Sequence, residues 1–535
     1  DLKCRMRPVL LVLSFLSQEG ISSAAVYDSE SCTLGCRSLD SASPSDNWLK
    51  EGRRPLPENR KFVSRSVDSY IRELQPQFKS ENISRLFSNC LPNTLDTTVE
   101  YDASKNDTFV ITGDIHAMWL RDSTNQVLPY MNFASGDAHL RHMICGLIRR
   151  QADLVLIDPY SNAFNVNASG DGNPDDVSLR AGGQKVQWCR RGNLFEQKYE
   201  LDSLAAVLKL SRSYFEATGD SRCFLDDGFR NRWLSSLGII LETIQTQQQG
   251  TAEEAANPSN PASFSTPAYT FQRKTVQATD TQMQNGHGVP ASRCGMSKTY
   301  FRPSDDAVTF PFLVPANAMA VVELTRISHV LRNLSSSFTH SPHFEKMKEL
   351  SKHAMELAKH VRAGIESEAT IRHPTFGSVF AYEVDGFGSN YKMDDANIPS
   401  LLSLPYLGYL DQADPLYLAT RRLVLSSSNP FYFEGPRAAG IGGPHQGYGM
   451  VWPMSVIMRA LTSDNDAEIT TCLQMLVNMT DHAGFMHESV NMFDVSKFTR
   501  PWFAWANSLF AELILTLVKK RPHLILKSAN SPQMI

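Results

Sequence analysis

Helical periodicity recurs along most of this chain of 535 residues and constrains its fold more than any other feature. Leu201, Leu204, Ala205 and Leu208 follow the i, i+3, i+4, i+7 spacing of one helix face. Patterns of this kind predict about twelve helices. Their approximate bounds are 67–91, 119–133, 139–157, 201–217, 229–248, 316–334, 343–368, 398–409, 415–427, 450–462, 466–480 and 502–520. Many of the connections are short, which favours antiparallel neighbours and therefore about six helical hairpins.

Signals for β-strands are few. The segment Ser378–Val384 alternates between polar and apolar residues and precedes the glycine-rich stretch Asp385–Ser389, so it predicts a hairpin or an edge strand. No run in which strands alternate with helices supports a nucleotide-binding α/β sheet or a TIM barrel. The predicted fold class is therefore all-α, an (α/α)6 barrel with a few short strands or hairpins.

Composition divides the chain into an arm, one domain and an insertion. Residues 26–65 are polar and irregular, which predicts an N-terminal arm. Residues 245–268 are rich in Gln, Ala, Pro and Ser and bury too little apolar surface to order well. Helices on both sides of this segment are needed to complete the hairpins, so we interpret it as a surface insertion in a single domain at 66–525. A linker between two domains is the alternative interpretation.

The first 25 residues have the pattern of a secretory signal peptide. Lys3, Arg5 and Arg7 form a basic start, residues 8–16 are a short apolar run, and residues 23–25 are small and suited to cleavage. The apolar run is too short to span a bilayer. These features predict a protein that is secreted or stays in the secretory pathway, with no membrane attachment after cleavage. A buried N-terminal helix is the alternative.

Two further patterns agree with secretion. The chain contains five Asn-x-Ser/Thr sequons without proline, which begin at Asn82, Asn106, Asn167, Asn333 and Asn478. Eight of its nine cysteines lie outside the predicted signal peptide, an even number that permits disulfides in an oxidising compartment. Their spacing does not assign the pairs, and buried free thiols are the alternative.

Charge and motif content exclude several functions. The net charge is −4, and the sequence lacks the basic stripe that binds nucleic acid. The P-loop pattern, the His-Glu-x-x-His zinc pattern and the Gly-x-Ser-x-Gly nucleophile pattern are missing. Histidines are scattered without the spacing of metal ligands, so we predict no metal and no cofactor.

Carboxylates stand next to arginines, aromatic residues and amides at four places in the sequence. These places are Trp119–Ser123, Arg302–Asp306, Asp394–Asn397 and His487–Glu488. Such side chains bind sugar hydroxyls, and hydrolysis of a glycosidic bond needs one protonated and one ionised carboxyl group. Each acid also has a plainer interpretation, since Asp122, Asp202 and Asp306 could cap helices and Glu488 could be a solvated loop residue. Composition alone does not select a catalytic pair from 56 acidic residues.

A set of ordered motifs resembles glycoside hydrolase family 125, the metal-independent exo-α-1,6-mannosidases. The stretch Gly113–Ser123 is similar to the family's Gly-Asp-Ile-x-Ala-Met-Trp-Leu-Arg-Asp-Ser signature, and Tyr199–Leu204 is similar to its Tyr-Glu-x-Asp-Ser-Leu segment. Six further segments fit in the family's order: FRPSDDA from Phe301, YEVDG from Tyr382, MDDANIPSLL from Met393, FEG from Phe433, FMHES from Phe485 and FTRPWFAWAN from Phe498. The resemblance runs from about residue 100 to 515, and the secretory signals and insertion are similar to a fungal member.

The resemblance implies a role for each matching residue. Asp202 would be the general acid and Glu488 the general base of an inverting hydrolase that removes terminal α-1,6-linked mannose from oligosaccharides or glycoproteins. The residues implied to bind the terminal sugar are Trp119, Arg121, Asp122, Arg302, Asp306, Asp395, Asn397, His445 and Trp502. The implied partner is a mannose-containing glycan, and the oligomeric state stays open.

This mechanism makes physical demands on the two carboxyl groups. Asp202 must be protonated at the working pH, which requires an apolar site or a nearby negative charge that raises its pKa. Glu488 must be ionised and hold a water on the opposite face of the sugar, so the two carboxyl groups should lie roughly 6.5–9.5 Å apart. The alternatives are another inverting hydrolase or a phosphorylase on the same barrel, and an inactive mannose-binding protein.

Overall fold

The computed structural model of the protein describes residues 47–180, 184–185, 192–257, 263–336 and 342–528. The predicted signal peptide and most of the predicted N-terminal arm lie outside these residues. These described residues belong to one compact unit. Among the described residues, no helix is both long and apolar enough to cross a membrane.

Within the described chain, six outer helices alternate with six inner ones. The outer helices are α1 (Glu81–Cys90), α3 (Ala138–Ile157), α5 (Arg230–Thr246), α7 (Pro342–Glu368), α9 (Pro415–Val424) and α11 (Asp466–Asn478). The inner helices are α2 (Leu120–Val127), α4 (Leu201–Thr218), α6 (Val314–Ser335), α8 (Leu404–Leu407), α10 (Pro453–Leu461) and α12 (Ala504–Lys520). Helix α2 packs against α4, α4 against α6, α6 against α8, α10 against α12, and α12 returns to α2. This arrangement is the (α/α)6 barrel that the sequence predicts.

Peripheral helices complete the helical part of the described chain. The α-helices are Asn47–Lys50, Arg65–Leu74, Asn93–Thr97, Met131–Ala134, Arg222–Leu225, Thr251–Ala255, Met283–Gly286 and Pro522–Ile525. The 3-10 turns are Pro57–Asn59, Gln75–Gln77, Leu128–Tyr130 and Ala278–Asp280. Most of them lie at the ends of the barrel helices or between them, so they shape the loops rather than the rings.

Burial distinguishes the inner ring from the outer ring. Every residue of α4 from Leu201 to Ser211 is buried, because apolar or small side chains occupy almost every side of this helix. The outer helix α7 instead buries the stripe that its sequence pattern predicts. This stripe is Met347, Leu350, Ala354, Leu357 and Val361. Polar residues that do occur at the start of an inner helix therefore lie in a low-dielectric environment.

Short antiparallel strands cluster in the loops that lead from outer to inner helices. They are β1 (Val99–Asp102), β2 (Asp107–Val110), β3 (Met118–Trp119), β4 (Ala163–Phe164), β5 (Val177–Arg180), β6 (Gln184–Lys185), β7 (Leu194–Glu196), β8 (Tyr269–Gln272), β9 (Phe312–Leu313), β10 (Thr370–His373), β11 (Gly377–Phe380), β12 (Glu383–Val384), β13 (Asn390–Tyr391), β14 (Tyr432–Glu434), β15 (Ala439–Ile441), β16 (Met450–Val451), β17 (Ser489–Asn491) and β18 (Phe498–Thr499). The sheets are β1–β2, β10–β11, β14–β15, β13–β12–β9, β16–β17–β18, β3–β4–β7 and β6–β5–β8. In sheet β3–β4–β7, Trp119 pairs with Ala163. Because the outer and inner helices run in opposite directions, all inner helices start at the same end of the barrel.

Three predicted helices differ from those observed. The predicted helix at 119–133 consists of α2, the 3-10 turn Leu128–Tyr130 and the short helix Met131–Ala134. The predicted helix at 67–91 is two helices, Arg65–Leu74 and α1, because Pro76 interrupts the pattern within a 3-10 turn. The predicted helix at 398–409 is reduced to α8, because the carboxylate of Asp394 accepts hydrogen bonds from the backbone amides of Leu401 and Leu402 at 2.8 and 2.9 Å. These bonds hold the chain before α8 in a loop.

The segment predicted as a low-complexity insertion, 245–268, begins inside α5. Gln247 is fully buried, and its carbonyl oxygen accepts a hydrogen bond from the backbone N–H of Lys298 at 2.9 Å. The ring of Phe264, by contrast, is 88% exposed. Gln248 is buried as well, so part of this glutamine-rich segment packs in the interior. Residues 258–262 lie outside the described part.

A disulfide joins Cys145 of α3 to Cys223, which lies in the short helix after α4. The two cysteines are 78 residues apart in the sequence. Cys90, Cys294 and Cys472 are free thiols in the described residues. The cross-link therefore closes one outer–inner hairpin of the barrel.

We expect the double variant Cys145→Ala/Cys223→Ala to lose about 4 kcal/mol of unfolding free energy, because a closed loop of this length restricts the unfolded chain. Equilibrium unfolding in guanidinium, followed by tryptophan fluorescence, measures the loss. Cys472→Ala, which removes a buried thiol outside any disulfide, is the matched control and should lose much less. Equal stability of the double variant and the unchanged protein would contradict this expectation.

Candidate active site

The starts of the inner helices bring the predicted site residues to one end of the barrel. Arg121 and Asp122 lie in the first turn of α2, and Asp202 lies in the first turn of α4. The other predicted residues lie in the loops that lead into the remaining inner helices. They are Arg302 and Asp306 before α6, Asp395 and Asn397 before α8, His445 before α10, and Glu488 and Trp502 before α12. Residues that are hundreds of positions apart in the sequence thus meet because the inner helices are parallel.

Arg121 lies at the centre of the site. Its side chain is 3% exposed, and its Nη1 lies 2.5 Å from Oε2 of Glu200 and 3.3 Å from Oδ2 of Asp202. Its Nη2 lies 3.3 Å from Oδ2 of Asp122 and 3.4 Å from Oδ1 of Asp305. One guanidinium therefore faces four carboxyl groups. A single positive charge does not balance four negative charges away from water, so some of these carboxyl groups must keep a proton.

Asp202 has the surroundings that a general acid needs. Its side chain is fully buried, and its Oδ1 makes no hydrogen bond within the described residues. Burial raises the pKa of Asp202 to about 6, and the attraction of Arg121 offsets only part of this effect. The helix-cap alternative is wrong for Asp202, since the N-cap of α4 is Glu200. It is also wrong for Asp122, since α2 begins after Trp119.

Glu488 lies in a different setting at the same end of the barrel. Its Oε2 accepts a hydrogen bond from Nε2 of Gln446 at 2.8 Å, and its Oε1 lies 3.5 Å from Nη1 of Arg500. Arg500 is oriented in turn by Asp114, whose Oδ1 accepts a hydrogen bond from Nε at 2.9 Å. Glu488 is 6% exposed, so the alternative of a solvated loop carboxylate is wrong. An amide and a guanidinium thus face the carboxyl group of Glu488.

His445 connects the surroundings of the two carboxyl groups. Its Nδ1 lies 3.2 Å from Oδ1 of Asp306. Burial lowers the pKa of His445, but the charges of Asp306 and then of Glu488 and Asp305 outweigh this effect and raise the pKa to about 9. The imidazole is therefore charged at neutral pH, and the charges of both Glu488 and Asp305 act on it. Because Asp305 also faces Arg121, the two groups of residues form one cluster.

Three buried carboxyl oxygens of the site make no hydrogen bond within the described residues. They are Oδ2 of Asp122, Oδ1 of Asp202 and Oδ2 of Asp395. Asp395 uses its other oxygen to accept hydrogen bonds from the backbone N–H and the side-chain amide of Asn397, at 2.9 and 3.1 Å. Gly443 packs closely on the free oxygen, because a Cβ at this position would lie only 2.9 Å from it. Buried acceptors without donors are groups that the hydroxyls of a sugar would satisfy.

Arg302 holds the loop that follows it. Its Nε donates a hydrogen bond to Oε1 of Glu383 at 2.6 Å. The second oxygen of Glu383 accepts hydrogen bonds from the backbone amides of Thr309 and Phe310 at 2.9 and 3.0 Å. Arg302 and Glu383 together therefore fix the loop that carries Asp306.

Trp119 and Trp502 are mostly buried. Trp119 is 6% exposed, and its ring centre lies 5.4 Å from that of Phe195. Trp502 is 8% exposed, and its ring centre lies 5.5 Å from that of Trp48. Packing of this kind leaves only an edge or part of a face of each indole for contact with a sugar.

Comparisons with known proteins decide which family this arrangement represents. The profile of glycoside hydrolase family 125, the metal-independent alpha-mannosidases, matches residues 80–515. The chain belongs to this family. It is therefore a glycoside hydrolase, and the barrel end described above is its candidate active site.

Two relatives in this comparison are similar to the chain over most of their own length. The Meiotically up-regulated gene 157 protein of Schizosaccharomyces pombe is 42% identical over 490 residues, which are 89% of this chain and 90% of that protein. A metal-independent alpha mannosidase of Streptococcus pneumoniae, solved as a non-productive complex with alpha-1,6-mannobiose, is 33% identical. That structure superimposes with a TM-score of 0.75, over 86% of this chain and 100% of the bacterial chain.

Sequence analysis missed part of this α-mannosidase site. The missed residues that contact the predicted ones are Glu200, Asp305, Gln446 and Arg500. Asp114 contacts Arg500, and Asn162 contacts Glu200. Glu200 and Asp305 stand two and one positions before selected aspartates, so the motifs themselves contained the signal. Asn162 has no such signal, because it reaches the site from the loop before β4 through tertiary packing.

We expect an NMR titration of the α-mannosidase to show His445 protonated up to about pH 9, because Asp306 and its acidic neighbours favour the charged imidazole. This contact stabilises the fold fully below the pKa of an unfolded histidine and is lost as the pH rises through about 9. Asp306→Asn should lower the pKa of His445, and His445→Gln identifies its resonance among the 14 histidines. A titration that is the same in Asp306→Asn would show that the two side chains do not interact.

Proposed function

We propose that the protein is an inverting exo-α-mannosidase that removes terminal α-1,6-linked mannose from oligosaccharides or glycoproteins. The observation that carries this proposal is the contrast between two carboxyl groups at one end of the barrel. Asp202 is buried, shares one guanidinium with other acids and has a raised pKa, whereas Glu488 is held by an amide and an arginine. Pairs of acids whose surroundings differ in this way perform opposite tasks in glycosidases.

In the proposed reaction Asp202 is the general acid. It donates its proton to the glycosidic oxygen as the bond between this oxygen and the anomeric carbon breaks. Because burial raises its pKa to about 6, Asp202 still carries this proton in mildly acidic solution. The proton is lost above this range, so the rate should fall on the basic side.

Glu488 is the proposed general base. It takes a proton from a water as the oxygen of that water forms a bond to the anomeric carbon from the opposite face. Water enters as the leaving group departs, so the configuration at this carbon inverts. We expect the two carboxyl groups to lie roughly 6.5–9.5 Å apart, which leaves room for this water.

The unsatisfied carboxyl oxygens support recognition of a terminal mannose. Oδ2 of Asp395 is buried and accepts no hydrogen bond within the described residues, and Oδ2 of Asp122 has only its ion pair with Arg121 at 3.3 Å. Hydroxyl groups of a sugar ring would donate hydrogen bonds to both oxygens. The charged imidazole of His445 and the amide of Asn397 add donors for hydroxyl oxygens. The preference for the α-1,6 linkage is supported by the bacterial relative, which was solved with alpha-1,6-mannobiose.

We expect the protein to release mannose from α-1,6-mannobiose and to act at least about tenfold more slowly on the α-1,2 and α-1,3 isomers, a difference that about 1.4 kcal/mol of transition-state binding would produce. NMR of the first product should show β-mannose before mutarotation, because the displacement inverts the anomeric carbon. Release of α-mannose would contradict the single displacement. Faster hydrolysis of another isomer would contradict the proposed linkage.

Asp202→Asn and Glu488→Gln are the controls for this assay. Each should lower kcat by about 10²–10⁴, the usual contribution of a general acid or base. Both substitutions keep the shape of the side chain, so circular dichroism should stay unchanged. Turnover close to that of the unchanged protein in either variant would remove that residue from its proposed role.

We further propose that the protein passes through the secretory pathway and carries N-linked glycans. The disulfide between Cys145 and Cys223 supports an oxidising compartment. Four of the five sequon asparagines are exposed. They are Asn82, Asn167, Asn333 and Asn478. Asn106 is half-buried in the turn between β1 and β2, and its Oδ1 makes no hydrogen bond there.

We expect protein secreted from a eukaryotic host to lose mass when N-glycans are removed enzymatically, because exposed sequons are accessible to glycan transfer. Replacing each exposed sequon asparagine with Gln should lower the mass by one glycan where that site is used. Asn106→Gln is the matched control and should leave the glycan mass unchanged. Retention in the cytosol, or a secreted protein without glycans, would contradict the proposal.

A further inference from the structure

Glu200 is the closest partner of the central guanidinium, although it is not one of the two proposed catalytic groups. Its Oε2 lies 2.5 Å from Nη1 of Arg121, whereas Oδ2 of Asp202 lies 3.3 Å from the same nitrogen. Ser203 also donates a hydrogen bond to Oε2 of Glu200 at 2.8 Å. Glu200 is 1% exposed, so water does not supply these interactions. Whatever charge Glu200 carries therefore acts directly on the attraction between Arg121 and Asp202.

Glu200 and Asp305 are held together by the same two groups. The Nδ2 of Asn162 lies 3.2 Å from Oε1 of Glu200 and 3.3 Å from Oδ1 of Asp305. Arg121 contacts both side chains through its two terminal nitrogens. Glu200 is buried and the side chain of Asp305 is 24% exposed, and two carboxyl groups that share one amide nitrogen in this way repel each other when both are ionised. Such a pair is stable with one proton between the two groups, as in other buried carboxyl pairs.

We propose that Glu200 is a positioning residue for the general acid: it shares one proton with Asp305, and the single negative charge of this pair balances Arg121, so that Asp202 keeps its own proton. This inference rests on the proposed role of Asp202. It assigns Glu200 no contact with the reacting atoms. Glu200 acts through Arg121, whose charge would otherwise be available to ionise Asp202.

The pKa directions of the two acids agree with this assignment. Burial, opposed by Arg121, raises the pKa of Glu200 well above its usual value, and the charge of Asp305 raises it further. Burial alone would raise the pKa of Asp305, but Arg121 and a hydrogen bond with Glu200 lower it to about 2. The proton of the pair therefore belongs mainly to Glu200, which donates it to the carboxylate of Asp305.

The other charged groups around the pair have partners of their own. They are Asp122 from α2, Asp202 from α4, Glu196 and Lys198 from the chain at and after β7, Asp280 and Arg273 from the loop after β8, and His445 and Arg500 from the loops before α10 and α12. Lys198 lies 3.3 Å from Glu196 and 3.0 Å from Asp280, and it also donates a hydrogen bond to the backbone carbonyl of Asp305 at 2.8 Å. Lys198 and Arg273 thus form ion pairs with acids outside the pair. Arg121 is the cation that contacts the side chains of both Glu200 and Asp305, and it contacts Asp122 and Asp202 as well.

Three variants separate this role from a purely structural one. Glu200→Gln keeps an acceptor for Arg121 and a donor for Asp305, and it leaves the charge of the pair unchanged. Glu200→Leu has a similar size but removes both hydrogen-bonding functions. Asp305→Asn removes the charge, and asparagine tolerates the left-handed backbone of this position, where φ is 67°.

The readout is the pH profile of kcat/KM on α-1,6-mannobiose, whose basic limb reports the loss of the proton of the general acid. We expect Asp305→Asn to move this limb to lower pH by about 1 unit, because the pair then lacks the negative charge that balances Arg121. We expect Glu200→Leu to move the limb in the same direction, because Nη1 of Arg121 loses its partner at 2.5 Å and keeps Asp202 at 3.3 Å. Glu200→Gln should keep the limb within about 0.3 unit of the unchanged protein. A mainly structural role of Glu200 would lower the rate equally at every pH and leave the limb in place.

Glu323→Gln is the control for removal of a buried charge elsewhere. Glu323 is 1% exposed on α6 and lies 2.7 Å from Arg212, which is about 15 Å along α4 from Asp202 at the rise of an α-helix. This variant should lose stability and leave the basic limb unchanged. A movement of the limb as large as that of Asp305→Asn would show that the limb reports general damage and would overturn the proposal.

Failure of this inference is distinct from failure of the proposed function. A limb that moves in Glu200→Gln as far as in Asp305→Asn would show that Glu200 is ionised, which overturns the shared proton. A limb that stays in place in all three variants would overturn the positioning role. Asp202→Asn, measured in the same series, tests the proposed function itself. If that variant keeps its turnover, Asp202 is not the acid, and both proposals fail together.

Discussion

The attraction between one buried guanidinium and several carboxyl groups is the interaction on which this active site depends. Arg121 comes from α2, Glu200 and Asp202 from the start of α4, and Asp305 from the loop before α6. The guanidinium also lies 5.5 Å from the ring centre of Trp505 in α12. Charges away from water interact several times more strongly than charges at a surface. One charge thus holds the starts of neighbouring inner helices together and lies beside Asp202.

The barrel makes this cluster possible because its apolar ring of helices excludes water from polar residues at one end. A helix such as α4 is buried on all sides, so an acid in its first turn cannot turn towards solvent. The same geometry gives Asp202 and Glu488 different surroundings although they belong to one site. Asp202 competes with other acids for Arg121, whereas Glu488 has Arg500 and Gln446 as partners. The raised pKa of Asp202 follows from its burial, which the attraction of Arg121 offsets only in part.

The sequence predicted those features that depend on local patterns. The stripe through Met347 and Val361 predicted the outer helix α7, and the short connections predicted the paired helices. Features that depend on a single side chain binding another segment of the chain were not predictable from local patterns. Asp394 binds the backbone amides of Leu401 and Leu402 and so holds the chain before α8 in a loop, where a helix was predicted. The apolar periodicity of the sequence does not indicate this contact.

The candidate site shows the same division. Asp202 was selected because its motif resembles that of a known family. Composition alone does not distinguish it from the other acidic residues. Glu200, in the same motif, was passed over because its importance lies in a distance to Arg121. Asn162 joins Glu200 and Asp305 only after the chain has folded. A single sequence therefore indicates which segments form the site, and tertiary structure determines which side chains act on each other.

The covalent link between Cys145 and Cys223 lies beyond the last turn of α4, whereas Asp202 lies in its first turn. The proposed catalytic residue and the stabilising disulfide therefore lie at opposite ends of one helix. Breaking the link loosens the remote end first and leaves the charge cluster as it was. An enzyme built in this way would work at its normal speed after reduction but survive for a shorter time, so its half-life at elevated temperature is a separate property from its turnover.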